Sequence, residues 1–151
     1  MSRVSWSFAQ IRDQLLQRAS ILYTSNRLPW VIIGLGVVLR LAQYLFNRSL
    51  WLDESLLTLN VIDRSFSELL QPLDYYQGAP VGFLILERLA VQAFGNSEYA
   101  LRLVPFLCGI VSLFLFYKVA KQCLETEAVL IAIGLFAVSS PLIYYASEVK
   151  Q

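Results

Sequence analysis

Apolar positions along this chain fall in long blocks rather than in alternation. Leu28 to Phe46 is apolar except for Arg40 and Gln43, and its length is close to the ~20 residues that cross a hydrocarbon core. Leu103 to Tyr117 carries no charge and is bracketed by Arg102 on one side and by Lys118 and Lys121 on the other. Ala128 to Ala146 is uncharged over 19 residues. Between these blocks Gln122-Cys-Leu-Glu-Thr-Glu127 forms a tight polar turn. The pattern predicts an all-α integral membrane protein with transmembrane helices over residues 28–47, 100–121 and 127–146.

Two further segments are amphipathic. In residues 1–27, Phe8, Ile11, Leu15, Ala19 and Leu22 recur at spacings of three and four, with Trp6 just ahead of them and Arg3, Arg12 and Arg18 on the rest of the helix. That suits a helix lying on a membrane surface, or a short helix packed on another domain. The segment has no small-residue cleavage pattern and is not a secretory signal. Val81 to Gly95 is apolar but interrupted by Glu87-Arg88. Its length fits an interfacial helix better than a span, with Glu87 and Arg88 on its wet face.

Charge sets the orientation. Arg3, Arg12, Arg18 and Arg27 precede the first span, so the N-terminus is expected in the cytoplasm. If residues 81–95 do not cross, Lys118 and Lys121 are also cytoplasmic, as the charge rule prefers. Residues 48–99 then form one long external loop, residues 122–126 a cytoplasmic turn, and residues 147–151 the start of a second external segment. Within the first loop, Leu56, Leu57, Val61 and Ile62 predict a short helix beginning at Asp53. Ser65-Phe-Ser-Glu68 has the pattern of a capping box.

Composition sharpens this picture. The chain is 57% hydrophobic and 15% charged, against about 45–50% and about 25% in average soluble domains. Its net charge is +1. Nothing here suits a disordered chain or a nucleic-acid partner. There is no histidine, which excludes Ser-His-Asp and Cys-His catalysis within the chain. Cys108 and Cys123 are 15 residues apart on one helix and its end, about 22 Å and far beyond disulfide reach.

The charged residues gather at the outer boundary. Asp53 and Glu54 follow the first span closely. Adjacent carboxylates there can bind a hard divalent cation, or one can act as a general base, although an acid at a helix start also serves as a cap. Glu148 and Lys150 end the third span behind Tyr144 and Tyr145, which suit an interfacial aromatic belt. Glu148 facing the same pocket as Asp53 would add a metal ligand, and Lys150 a phosphate contact. Arg102 can anchor headgroups, pair with Glu98 at i,i+4, or reach a phosphate. Arg40, inside the first span, can snorkel or meet a carboxylate.

The order of these motifs resembles the N-terminal part of GT-C superfamily membrane glycosyltransferases, in the branch of protein O-mannosyltransferases and aminoarabinose lipid A transferases. The stretches that carry the likeness are Arg40-Leu41, Ser49-Leu-Trp-Leu-Asp-Glu54, Gly78-Ala-Pro-Val-Gly-Phe-Leu-Ile-Leu-Glu87, Phe94-Gly-Asn-Ser-Glu-Tyr-Ala-Leu-Arg-Leu103 and Ser140-Pro-Leu-Ile-Tyr-Tyr-Ala-Ser-Glu-Val-Lys150. The resemblance implies inverting transfer of a sugar from a polyprenyl-phosphate donor to a lipid, glycan or protein acceptor on the external face. It implies a catalytic role for Asp53, with Glu54 beside it, and donor or phosphate contacts from Arg102, Glu148 and Lys150. Asp53, Glu54 and Glu148 are the candidate ligands of a Mg or Mn ion. Lysine at 150 stands where the family's second acidic motif usually has arginine, and Ala79 where the aminoarabinose branch has lysine. A bacterial inner membrane is the expected location. The family has about a dozen spans, so the chain reads as the first part of a larger enzyme, inactive alone. The competing reading is a small three-span scaffold packing through Gly34, Gly36, Gly109 and Gly134.

Overall fold

The computed structural model describes residues 27–149. The amphipathic segment expected over 1–27, Arg27 excepted, and Lys150 lie outside them. Among the described residues the chain is helical, with no strand. Helix α1 runs Leu28–Phe46 and ends at Asn47 in the left-handed region (φ 41°). Helix α2, Leu52–Asp63, is followed by 3₁₀ turns at Glu68–Leu70 and Asp74–Tyr76. Helix α3 is Val81–Phe94, α4 Glu98–Cys123, α5 Thr126–Val138 and α6 Ser140–Tyr145.

Helix α1 covers the segment expected to form the first span. The second begins earlier than the hydropathy implies, because the Ser97 hydroxyl caps α4 by accepting from the Ala100 amide at 3.2 Å. Cys108 and Cys123 both lie in α4 and are free thiols.

The third apolar block is not one helix. It breaks at Ser139 (φ −59°, ψ 112°) into α5 and α6. Pro141 explains the break: it has no N–H to give the Ala137 carbonyl four residues back. That carbonyl accepts instead from Arg40 Nη1 at 3.3 Å. The same nitrogen donates to the Gly36 carbonyl at 3.1 Å, and the guanidinium lies 5.8 Å from the Phe136 ring centroid. Arg40 therefore neither snorkels nor meets a carboxylate. It is buried and serves the backbone that a proline leaves unsatisfied.

Helices α1, α4 and α5 pack on one another around Ile33, Leu113, Ile133 and Ala137. Phe116 and Phe136 stack at 4.2 Å. Two of the four glycines singled out in the sequence permit this approach. A Cβ at Gly36 would lie 3.0 Å from Leu113, and one at Gly109 only 2.6 Å from the Ala146 Cβ, whereas Gly34 and Gly134 face open space.

Helices α1 and α4 are long and apolar enough to cross a membrane, and only 17% and 22% of their most apolar stretches are buried inside the protein. Val31, Val38, Leu45, Val111, Leu115 and Val119 are all exposed. Apolar surface on that scale is stable against lipid rather than water. Helix α5, with 13 residues, is about 20 Å long and does not span the hydrocarbon core alone. Helix α3, with 14 residues, is about 21 Å long and likewise short.

The segment 48–99 is not a loose loop. Leu57, Val61, Leu69, Leu84 and Val91 form a second core with Leu101 and Val149, capping one end of the bundle. Arg64 ties its turns together through Asp74 at 2.9 Å and the Pro72 carbonyl at 2.9 Å. Asn60 Oδ1 accepts from the Asp74 amide at 2.9 Å. At the expected capping box, Glu68 accepts from both the amide and the hydroxyl of Ser65, each at 2.7 Å. The hydroxyl, the amide and then nearby Arg64 hold the Glu68 carboxyl below the usual carboxylate range.

The expected wet face of α3 is absent. Glu87 is fully buried. Arg88 turns inward as well, and its Nη1 donates to the Val61 and Ile62 carbonyls in the last turn of α2. These carbonyls have no intrahelical donor, so a cation supplied from α3 caps α2.

Candidate active site

Asp53 and Glu54 open α2, and the helix turn between them separates their fates. Asp53 is exposed in the first turn. Glu54 points inward and is 1% exposed. Its Oε2 accepts from the Trp51 amide at 2.9 Å, which supplies one of the donors that a helix N-terminus leaves without an intrahelical acceptor. Its Oε1 accepts from the Val149 amide, also at 2.9 Å. The guanidinium of Arg102 stands 3.9 Å from Oε2, and both side chains are almost wholly buried.

This arrangement revises several expectations. Arg102 faces Glu54 rather than Glu98, and its burial removes it from lipid headgroups. Glu54, expected beside the catalytic base, has both oxygens engaged by amides. It positions: it fastens the acidic turn of α2 to the turn that follows α6. Glu148 lies in that turn, 7% exposed, beside a cleft of about 310 Å³ lined by Phe83, Pro105, Cys108, Leu142 and Tyr145 among others. The second acidic motif is thus brought to the first, by a carboxylate–amide bond between residues 54 and 149.

Asp53, Glu54 and Glu148 do not gather into a metal site. No group of three His, Cys, Asp or Glu side chains among the described residues is arranged to hold an ion, and the Glu54 oxygens are already taken.

The sequence reading also missed residues. Arg48 Nη2 donates to the Tyr144 hydroxyl at 2.6 Å. Tyr44 donates its hydroxyl to the Tyr99 carbonyl at 2.9 Å and stacks on Phe106 at 4.6 Å. These contacts bring the end of α1, the start of α4 and the end of α6 to one end of the bundle. No periodicity signals them, because they join residues 55 to 96 positions apart.

With that geometry described, the comparison with known families becomes specific. Residues 77–150 match the family model of the dolichyl-phosphate-mannose-protein mannosyltransferases. Over this segment, which holds α3 to α6 together with Arg102 and Glu148, the chain is similar to membrane mannosyltransferases, in line with the resemblance carried by its motifs. Asp53 and Glu54 precede the matched segment, and the Glu54–Val149 bond joins them to its far end. No curated protein and no solved structure matches the chain.

Proposed function

We propose that the protein transfers a sugar from a polyprenyl-phosphate donor to an acceptor hydroxyl at the external face of a membrane, with inversion. Asp53 is the general base. Its carboxylate takes the proton of the acceptor hydroxyl while that oxygen bonds to the anomeric carbon. The bond from that carbon to the phosphate oxygen breaks, and the polyprenyl phosphate leaves with the electron pair. Attack opposite the leaving group accounts for inversion. Glu54 and Arg102 hold the base in place, and Glu148 closes the other side of the site.

The observation that carries this reading is the Glu54–Val149 hydrogen bond, which places the acidic turn of α2 beside the tail of the family-matched segment. The test is Asp53→Asn in the protein produced from its own gene, assayed in membranes for transfer from a polyprenyl-phosphate sugar. Loss of a general base is expected to lower the rate by about 10²–10⁴-fold. Full activity in Asp53→Asn would remove the assignment. In a background with Cys108 and Cys123 replaced by serine, an impermeant thiol reagent added outside should label a cysteine at exposed Gln71 and not one at exposed Gln122. The reverse pattern would overturn the orientation.

A further inference from the structure

Arg48 lies in the link between α1 and α2, five residues before Asp53. The left-handed turn at Asn47 directs the chain back across the end of α6. The Arg48 guanidinium carbon sits 4.7 Å from the Trp51 ring centroid and 5.1 Å from that of Tyr144. Its Nη2 donates to the Tyr144 hydroxyl at 2.6 Å. The two rings are anchored separately. The Trp51 backbone is fixed by Glu54, and Tyr144 belongs to the last turn of α6.

A guanidinium held against ring faces keeps its in-plane N–H groups available, and that planar fork matches the oxygens of a phosphate. Among the described residues, Nε and Nη1 of Arg48 meet no protein acceptor. Arg102 is buried and faces the Glu54 carboxylate at 3.9 Å. Arg48 is thus a cation at this end of the bundle with donors left to offer. Tyr144, which holds it, touches Tyr145 ring to ring at 5.9 Å. Tyr145 lines the largely apolar cleft of about 310 Å³ that runs along α4 past Pro105 and Cys108 to Ser112. A cation and an apolar cleft joined through adjacent tyrosines suit a ligand with a phosphate head and a hydrocarbon tail.

We infer that Arg48, clamped by Trp51 and Tyr144, binds the phosphate of an isoprenoid phosphate whose first units lie in the cleft between α4 and α6. This rests on the donor class proposed above and assigns its phosphate to a residue outside both acidic motifs.

The experiment titrates the purified protein in detergent with farnesyl phosphate, and in parallel with farnesol, inorganic phosphate and phosphatidic acid vesicles. Thermal unfolding of every variant is recorded alongside. Farnesyl phosphate is expected to bind about tenfold or more tighter than farnesol or inorganic phosphate, since each of these offers half of the ligand. Arg48→Lys keeps the charge but loses the fork and the stacking, and is expected to weaken farnesyl phosphate about tenfold at unchanged unfolding temperature. Arg48→Ala is expected to weaken it further, and Arg48→Lys supplies the answer if the alanine variant does not fold. Unchanged affinity in the Arg48 variants overturns this inference and leaves the donor reading standing. Equal weakening for phosphatidic acid also overturns it, because Arg48 would then be a general headgroup anchor. Absence of farnesyl phosphate binding by the unaltered protein overturns the donor reading and this inference together.

Discussion

Glu54 Oε1 accepts a hydrogen bond from the amide of Val149 at 2.9 Å, across 95 positions of sequence. The bond is buried, and its donor is backbone, so among substitutions at 149 only proline removes the donor. Glu54 also holds the Trp51 amide and faces Arg102. Glutamine at 54 has one acceptor oxygen for two amides and no charge for Arg102. Glu54→Gln is therefore expected to destabilise the protein by about 1–3 kcal/mol, seen as a lower unfolding temperature in detergent. Arg102→Met leaves a buried carboxylate without its cation and is expected to cost about 3–5 kcal/mol. Adding Glu54→Gln to Arg102→Met should recover part of that loss. Strict additivity of the two would show that the pair is not coupled.

The apolar blocks made α1 and α4 legible because block length and lack of charge are local properties. The break in the third block was also written locally, in Pro141, but a run of 19 uncharged residues outweighs one proline in a hydropathy reading. The roles of Glu54 and Arg102 were not legible. Asp53-Glu54 reads as a pair, yet successive helix positions diverge by about 100°, so one acid faces the interior and the other does not. Nothing near residue 54 indicates that its partner is an amide at 149. Glu87 and Arg88 were misread for a related reason. Charges on a short interfacial helix usually face water, and only the carbonyls at the end of α2 explain why Arg88 turns in. The likeness to the mannosyltransferases was legible because it rests on the order of motifs, which survives ignorance of their contacts.

Close approach at Gly109 gives a steric prediction. A Cβ there would stand 2.6 Å from the Ala146 Cβ and 3.4 Å from its Cα. Ala146 immediately precedes the tail that carries Glu148, so relief by moving α6 would disturb the site. Gly109→Ala is expected to destabilise by about 1–3 kcal/mol as an overpacked contact. Ala146→Gly in the same chain should restore most of it by vacating the position. Gly34→Ala, with nothing within 4 Å of the added carbon, is the matched control. It is expected to be neutral or slightly stabilising, since alanine is the better helix former. A Gly109→Ala protein as stable as the control would show that the contact between α4 and α6 is looser than drawn.

Glu87 gives the pH dependence. It is 0% exposed on α3, and among the described residues neither carboxylate oxygen has a hydrogen-bond partner. Burial pushes its carboxyl up from 4.5 to about 8. The folded protein therefore keeps the Glu87 proton over a range in which the unfolded chain has lost it. Between about pH 4.5 and about 8 the native state binds more protons than the unfolded state, so this group makes stability fall as pH rises. Its contribution is intact below 4.5 and lost once pH passes about 8. The full shift corresponds to a loss of at most about 5 kcal/mol, and less where the helix relaxes to admit water. Glu87→Gln has nearly the same shape and no charge to bury. Unfolding temperatures measured from pH 5 to pH 9 should fall for the unaltered protein and stay flatter for Glu87→Gln, with the two converging at the acid end. Parallel profiles would mean that Glu87 ionises in place, with α3 opening to water around it.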